Sequence, residues 1–476
     1  MKKHILMLSV ALAGSSSMPA FAQQDPLDDI TTALTAPVAT ATANPDGSGT
    51  PADILLDNGG SITVTTGGPA VTINSNNSFQ QLTGTTLSNK DTDSAVGILV
   101  DLTTQSIDAT NGSCTTGCAH TFEGLIEAGT IDLSGSGATK RAIWFEGPTT
   151  DSGLGPFAYT GNVDLTGSQI TVTGDNSVGV LVDPEAVVNG TMTFSTIKMQ
   201  TTSLTATSTG VIAFDNEGVV NGDLRFGYVD DQNVNQDTAN ITVTGSSSTA
   251  ASGLIAVKIG GTVNGDVTID RGSSIVAIGQ GAEGILITGD INACNQTASP
   301  GCTSLGSFVN KGVIQALGTN ATIVNATGNP SSGSALLLGG SIAGGIFNGG
   351  PASLTDTTVA ASIFSEVAGA AVQINPGLQT GAIINPVIID VYRGDLTDPG
   401  FSFDNRGSIS RRADQRQPEC DGNYDYRRRF DFPHDADGRT IQFRRHQRHR
   451  EFQFVRDGRG KRGGCVYWPG CVRRSL

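Results

Sequence analysis

The feature that most limits what this chain can fold into is a short segment that returns four times with the same internal spacing. It reads F/L-x-N-x-G-x-I/V: LDNGGSI at 56 to 62, FDNEGVV at 214 to 220, FVNKGVI at 308 to 314 and FDNRGSI at 403 to 409. Its physical content is an inward apolar residue, an Asn able to take a left-handed turn and hydrogen-bond nearby backbone, a permissive Gly, and an inward β-branched residue opening a strand. Such a unit turns a corner.

A second recurrent element is a short apolar strand after a small residue: GILV at 97, GVLV at 179, GVIA at 210, GLIA at 253 and GILI at 284, with ALLL at 335 and AVQI at 371 as degenerate copies. VNGD at 220 to 223 and 263 to 266 follows GVIA and GLIA at a constant ten-residue offset, which marks copies of one unit. ITVTG at 170 to 174 and 241 to 245 alternates with period two, placing Ile and Val on one face and Thr on the other. The strands therefore have an inside and an outside.

Composition agrees. Of 476 residues 62 are Gly, aromatics are 5% and hydrophobics 37%, below the ~45–50% apolar share of ordinary globular domains. Too few large side chains exist for one thick core, which argues against a helical bundle or a doubly wound α/β enzyme. The pattern predicts an all-β chain, a right-handed parallel β-helix in which each coil stacks ~4.8 Å above the last. At about 20 to 25 residues per coil, residues 53 to 410 make roughly 15 coils and a rod on the order of 70 Å long. Ile62, Val180, Ile255, Ile285 and Ile314 are expected to point into its core. A β-sandwich or propeller is the competing architecture, but a propeller blade needs about 40 to 50 residues with an aromatic signature, and only Trp144 precedes the tail.

The N-terminus carries an export signal. Lys2 and Lys3 form a basic region, Ile5 to Ala13 an apolar one, and Ala20-Phe21-Ala22 before Gln23 an A-x-A cleavage site. Cleavage between Ala22 and Gln23 removes residues 1 to 22, whose apolar core falls short of the ~20 residues that span a bilayer. No membrane span is expected in the rest of the chain. Residues 23 to 52 are Thr/Ala/Pro-rich without periodic apolar positions and read as a flexible entry segment. Export to an oxidising compartment suits two local disulfides, Cys114 with Cys118 and Cys294 with Cys302, each in a Gly/Ser/Thr/Asn-rich insertion.

With signal, repeats and polarity assembled, the chain resembles the passenger region of a Gram-negative autotransporter over about residues 1 to 410, on the N-x-G-x-I corners and the small-residue strands. The resemblance implies a secreted structural or adhesin-type protein, non-enzymatic, handled by the Sec export machinery and meeting a host or extracellular-matrix ligand. It also implies a C-terminal translocator barrel, whose ~10-residue amphipathic strands are missing from residues 411 to 476. The periplasm is then the expected location of this chain, and the cell surface or outer membrane that of a full-length relative.

The chemistry of other classes is sparse. Between the signal and residue 410 the only histidine is His120, and no G-x-S-x-G elbow occurs. Cys114, Cys118 and His120 lack a fourth zinc ligand and a usual finger spacing, so neither a metal nor another cofactor is expected. The alternative function is a β-helix carbohydrate-active enzyme, a lyase or glycosidase, which needs paired carboxylates beside basic residues; Asp215 and Glu217 flank the Asn216 corner, but turn exposure alone accounts for them. Arg393-Gly394-Asp395 is a tripeptide used by integrin ligands, here in DVYRGDLTD, and is the one candidate receptor motif.

Charge divides the chain in two. Through residue 408 there are 12 Lys/Arg against 35 Asp/Glu, and from 409 to 476 there are 17 against 9. The acidic part disfavours nucleic-acid binding. The tail, 411 to 476, reads as a disordered basic arm able to attract phosphates, or as the repeat region translated out of frame after Ile409. Codons shifted by one nucleotide across Gln442 to Glu451 permit Asn-Ser-Gly-Gly-Ile, which is the N-x-G-x-I corner again, and the out-of-frame reading also explains the tail's Arg excess and its three cysteines, Cys420, Cys465 and Cys471.

Overall fold

One aliphatic residue per coil stacks along the molecule. In a computed structural model of the chain, Leu34, Ile62, Leu87, Ile131, Ile170, Ile197, Ile241, Ile275, Ile314, Ile363 and Ile409 are successive partners in one parallel sheet. From Ile62 through Ile363 every member is fully buried. Burying each such side chain stabilises by ~1.5–3 kcal/mol, and no coil could do so without its neighbours. The structure describes residues 27–42, 51–103, 121–147, 158–201, 210–229, 236–245, 254–279, 281–297, 302–318, 333–350, 358–366, 370–374 and 402–411, with a few short pieces between them.

This ladder belongs to sheet II, with 11 strands from Ala33–Leu34 to Ser408–Arg411. Sheet I has 11 strands, from Leu27–Ile30 to Phe403–Asn405, and sheet III has ten, from Val38–Ala39 to Val372–Ile374. A shorter sheet IV of six strands, Thr121–Glu123 to Asp290–Asn292, runs beside the middle coils between sheets III and I. Every neighbouring pair in these four sheets is parallel and separated by one turn of chain, which is a parallel β-helix. Among the described residues the only helical element is the 3-10 turn Thr40–Thr42.

The coils are fewer and longer than the repeat suggests. Among the described residues eleven coils at ~4.8 Å place the first and last strands about 50 Å apart, against the roughly 15 coils expected. Ser61 to Thr86, a single coil, takes 25 residues, but Val313 to Ser362 takes 49. The extra length goes into sheet IV and into insertions, three of which carry antiparallel two-residue hairpins, such as Tyr228–Val229 with Gln236–Asp237. The helix also starts earlier than residue 53. Leu27–Ile30, Ala33–Leu34 and Val38–Ala39 pair with the next coil, so much of the expected entry segment is the first coil itself.

Large side chains gather in the middle of the rod. Phe145, Tyr159, Phe194, Phe214 and Phe226 are all fully buried. Phe194 stacks on Phe226 with centroids 4.9 Å apart and an interplanar angle of 16°, and meets Phe214 at 4.9 Å and 59°. These are the offset and tilted geometries that aromatic quadrupoles favour. In sheet II the ITVT strands behave as their alternation predicts: Ile170, Val172, Ile241 and Val243 are fully buried.

The four corner segments are not copies of one corner. Asn58, Asn310 and Asn405 sit where sheet I turns into sheet II, whereas Asn216 ends a strand of sheet III and turns into sheet IV. Of the four only Asn58 has a positive φ, 49°. Asn310 and Asn405 instead join an amide ladder with Asn348: Asn310 Nδ2 donates to Asn348 Oδ1 at 2.7 Å, and Asn348 Nδ2 to Asn405 Oδ1 at 2.7 Å. A second ladder lines sheet IV, where Asn264 donates to Asn221 at 2.7 Å and Asn221 to Asn189 at 2.8 Å.

The small-residue strands share sheet III but align at different letters. From the register, Gly97, Ala142, Gly179, Ala213, Ala256, Gly284, Ala335 and Ala371 form one column. GVIA and GLIA therefore enter it by their Ala, while GILV, GVLV and GILI enter by their Gly. A Cβ on Gly179 would lie 2.3 Å from the Ala213 carbonyl oxygen and one on Gly284 2.5 Å from that of Ala335. Ile62, Val180, Ile285 and Ile314 are fully buried in the core; Ile255 is also buried, 8% exposed, but stands at the edge of the contiguous core cluster that Leu254, Ala256 and Val257 join.

Candidate functional site

The outer face of sheet III carries the densest chemistry among the described residues, and the register dictates it. Leu99, Trp144, Leu181, Asp215, Lys258, Leu286 and Leu337 are successive partners in one outward column. Beside them each of four consecutive coils presents a carboxylate at the end of its strand. Asp101 pairs with Glu146, and the backbone N–H groups of Asp183 and Glu217 bond the Phe145 and Val182 carbonyls, continuing the series. Stacked coils bring carboxylates together at the strand repeat, where neighbouring cations, hydrogen bonds and burial act on them.

All three are seen. Trp144 Nε1 donates to Asp183 Oδ2 at 2.8 Å, and the Arg141 guanidinium lies over the Trp144 ring, 4.3 Å from its centroid. Burial raises the Glu146 carboxyl, helped by the charges of Asp101 and Asp183, while Arg141 opposes the rise. Burial also raises Asp183 against the Trp144 hydrogen bond and the charge of Arg141.

Two coils on, Lys258 Nζ contacts Glu217 Oε1 directly and lies 3.3 Å from Asp215 Oδ1. Asp215 is 6% exposed, and burial, with Glu217 adding to it and Lys258 opposing, pushes its carboxyl up to about 6. Burial works against the Lys258 ammonium, but Asp215 and Glu217 outweigh it and the shift is upward. Gly260 makes room for this group: a Cβ there would sit 2.4 Å from Glu217 Oε2. Further along, half-buried Glu283 is raised by burial to about 7.

Other polar features are structural. Lys140 is fully buried and its ammonium donates to the Leu133, Ser134 and Gly135 carbonyls at 3.0, 3.2 and 3.3 Å, tying one turn closed. Arg406 binds Asp404 at 2.7 Å beside its corner. On sheet II a shallow groove of about 270 Å³ runs over Thr171, Thr173, Lys198, Gln200, Thr242 and Thr244. Among the described residues no group of three or more His, Cys, Asp or Glu could hold a metal ion, and no helix is long and apolar enough to cross a membrane.

Cys294 and Cys302 are joined in a disulfide, with Cα atoms 6.2 Å apart, inside the insertion between sheets IV and I. Ala22, Gln23, Cys114, Cys118, His120, Arg393, Gly394 and Asp395 lie outside the described residues, as does the tail beyond Arg411. Asp215 and Glu217 do come together, through Lys258, which sequence reading left unremarked although KIGG at 258 to 261 supplies both the amine and the gap. No family model matches the sequence, and neither the curated proteins nor the solved structures contain a match.

Proposed function

We propose that the chain is an exported, non-enzymatic passenger of the autotransporter type, a structural or adhesin-type rod delivered across the inner membrane by the Sec machinery. The observation that carries this reading is the unbroken stacking of eleven parallel coils, a geometry that spends its sequence on reach and on a repeated outer surface. The carboxylates of sheet III support a binding rather than a catalytic role. Asp215 and Glu217 converge on one ammonium instead of facing each other across a space for a sugar, the arrangement glycoside hydrolysis uses, and Asp183 is held by Trp144.

The test is expression with the native leader in a Gram-negative host, followed by N-terminal sequencing, fractionation, and adhesion of the purified protein to immobilised extracellular-matrix components and polysaccharides. The reading expects Gln23 as the first residue, recovery from the periplasm or cell surface, and saturable adhesion without turnover. A cytoplasmic product with its leader intact contradicts it. One observation favours the second reading, a β-helix lyase or glycosidase: Glu283 is a carboxyl raised to about 7, the range that suits a general acid. Release of reducing or unsaturated sugar that Glu283→Gln abolishes establishes the enzyme instead.

A further inference from the structure

Lys258, Glu217 and Asp215 form a three-membered charge cluster on the outer face of sheet III. Lys258 stands directly opposite Asp215 in the register of two adjacent coils, and Glu217 folds back from the following corner so that its Oε1 meets the same Nζ. The group is partly sheltered, the Lys258 and Glu217 side chains being 24% and 32% exposed. Asp215 is almost completely buried, Leu181 precedes it in the column at 7% exposed, and Leu286 follows Lys258. Gly260 leaves the space that the Glu217 carboxyl occupies. An ammonium, a carboxylate and a second, raised carboxyl are therefore held together by two adjacent strands and the corner that follows one of them, a juxtaposition that favours an intramolecular condensation.

We propose that Lys258 and Glu217 condense into an isopeptide bond that covalently staples two neighbouring coils, with Asp215 as the proton carrier. Asp215 and Glu217 favour the Lys258 ammonium, so the reaction starts from the minor neutral form of the pair, reached by transfer of one proton from Lys258 to Glu217. Lys258 Nζ attacks Glu217 Cδ, forming the C–N bond, and Asp215 takes the proton released from nitrogen and delivers it to the departing hydroxyl. One C–O bond breaks, one water leaves, and Asp215 returns to its starting state. No oxidant, metal or cofactor is consumed. With its carboxyl pushed up to about 6, Asp215 can accept a proton from nitrogen and pass it on near neutral pH. The product is a neutral amide in place of a half-buried ammonium–carboxylate pair, and it links residues 41 apart in sequence. This staple concerns the rod itself and holds whether the chain is an adhesin or an enzyme.

Mass spectrometry of the purified, reduced and alkylated chain tests it. The expected result is a mass one water below that of the alkylated sequence counted from the observed first residue, together with a branched tryptic peptide joining the segments that contain Glu217 and Lys258, and no cleavage after Lys258. Lys258→Arg, which keeps a cation at the site, has the full mass, and its circular dichroism shows that the fold survives without the bond. Asp215→Asn also has the full mass, or gains the bond much more slowly. A wild-type chain of full mass that trypsin cuts after Lys258 overturns the proposal. A branch that maps to Asp215 overturns the assignment of Glu217, and a bond formed at the wild-type rate in Asp215→Asn overturns the proton-carrier role.

Discussion

Asn348 Nδ2 donates to Asn405 Oδ1 at 2.7 Å across the boundary between the last two coils. The same Asn348 accepts from Asn310, and both Asn310 and Asn348 are fully buried. Replacing Asn348 by Ala removes one acceptor of the buried Asn310 amide, which keeps only Ser362 O at 3.3 Å, and the donor to half-buried Asn405. A buried unsatisfied polar group costs ~1–3 kcal/mol, so Asn348→Ala is expected to destabilise by a few kcal/mol in urea unfolding. A change of a few tenths would show that the ladder contributes little.

The small-residue column of sheet III predicts a steep size dependence. Gly179→Val would force a Cβ to within 2.3 Å of the Ala213 carbonyl oxygen, and overpacking of this kind costs ~1–3 kcal/mol or more. Gly167→Val, where a Cβ meets nothing within 4 Å, is strained only through its φ of 72°. The expected order of chemical-denaturation midpoints is wild type above Gly167→Val above Gly179→Val.

Two isoleucines that look alike in sequence differ in place. Ile314 is fully buried in the core ladder, whereas Ile255, 8% exposed, lies at the edge of the core cluster. Ile314→Ala is expected to cost ~2–5 kcal/mol and Ile255→Ala clearly less. Equal losses in thermal or urea unfolding contradict this assignment of faces.

Glu283 sets a pH dependence. Its folded-state value, about 7, lies above the ordinary glutamate value of 4.5, so the folded chain holds this proton more tightly than the unfolded chain. That stabilisation is complete below about 4.5 and is lost as pH rises through about 7. Glu283→Gln is therefore expected to leave stability at pH 4 little changed and to raise it at pH 8. Urea midpoints measured across this range check the sign, and a variant less stable than wild type at pH 8 contradicts it.

The parts of the fold that depend on local alternation were legible in the sequence. ITVT announced which residues face inward, and Ile62, Ile314 and Ile409 marked the start of sheet II strands. What depends on stacking was not. FDNEGVV and FDNRGSI share a pattern, yet Asn216 and Asn405 close different corners, because the segment encodes a change of direction and not which sheets it joins. GVIA and GILV look like one element, but only comparison with the coils above and below shows that Ala213 and Gly97 share a column. The candidate site was hidden for the same reason. Asp101, Glu146, Asp183 and Glu217 are scattered in sequence and become a stripe only once coil lengths are known, and insertions make those lengths irregular.

The register of neighbouring coils is the most direct test of the whole account. Asn240 pairs with Ser274 and Thr244 with Ile278 in adjacent outward-facing strands of sheet II. In a parallel pair Asn240→Cys and Ser274→Cys bring their sulfurs together, whereas Asn240→Cys and Ile278→Cys do so only if the strands run antiparallel. Oxidation followed by peptide mapping is predicted to cross-link the first double variant and leave the second unlinked. Cross-linking of the second and not the first would contradict the parallel β-helix and everything built on its stacked columns.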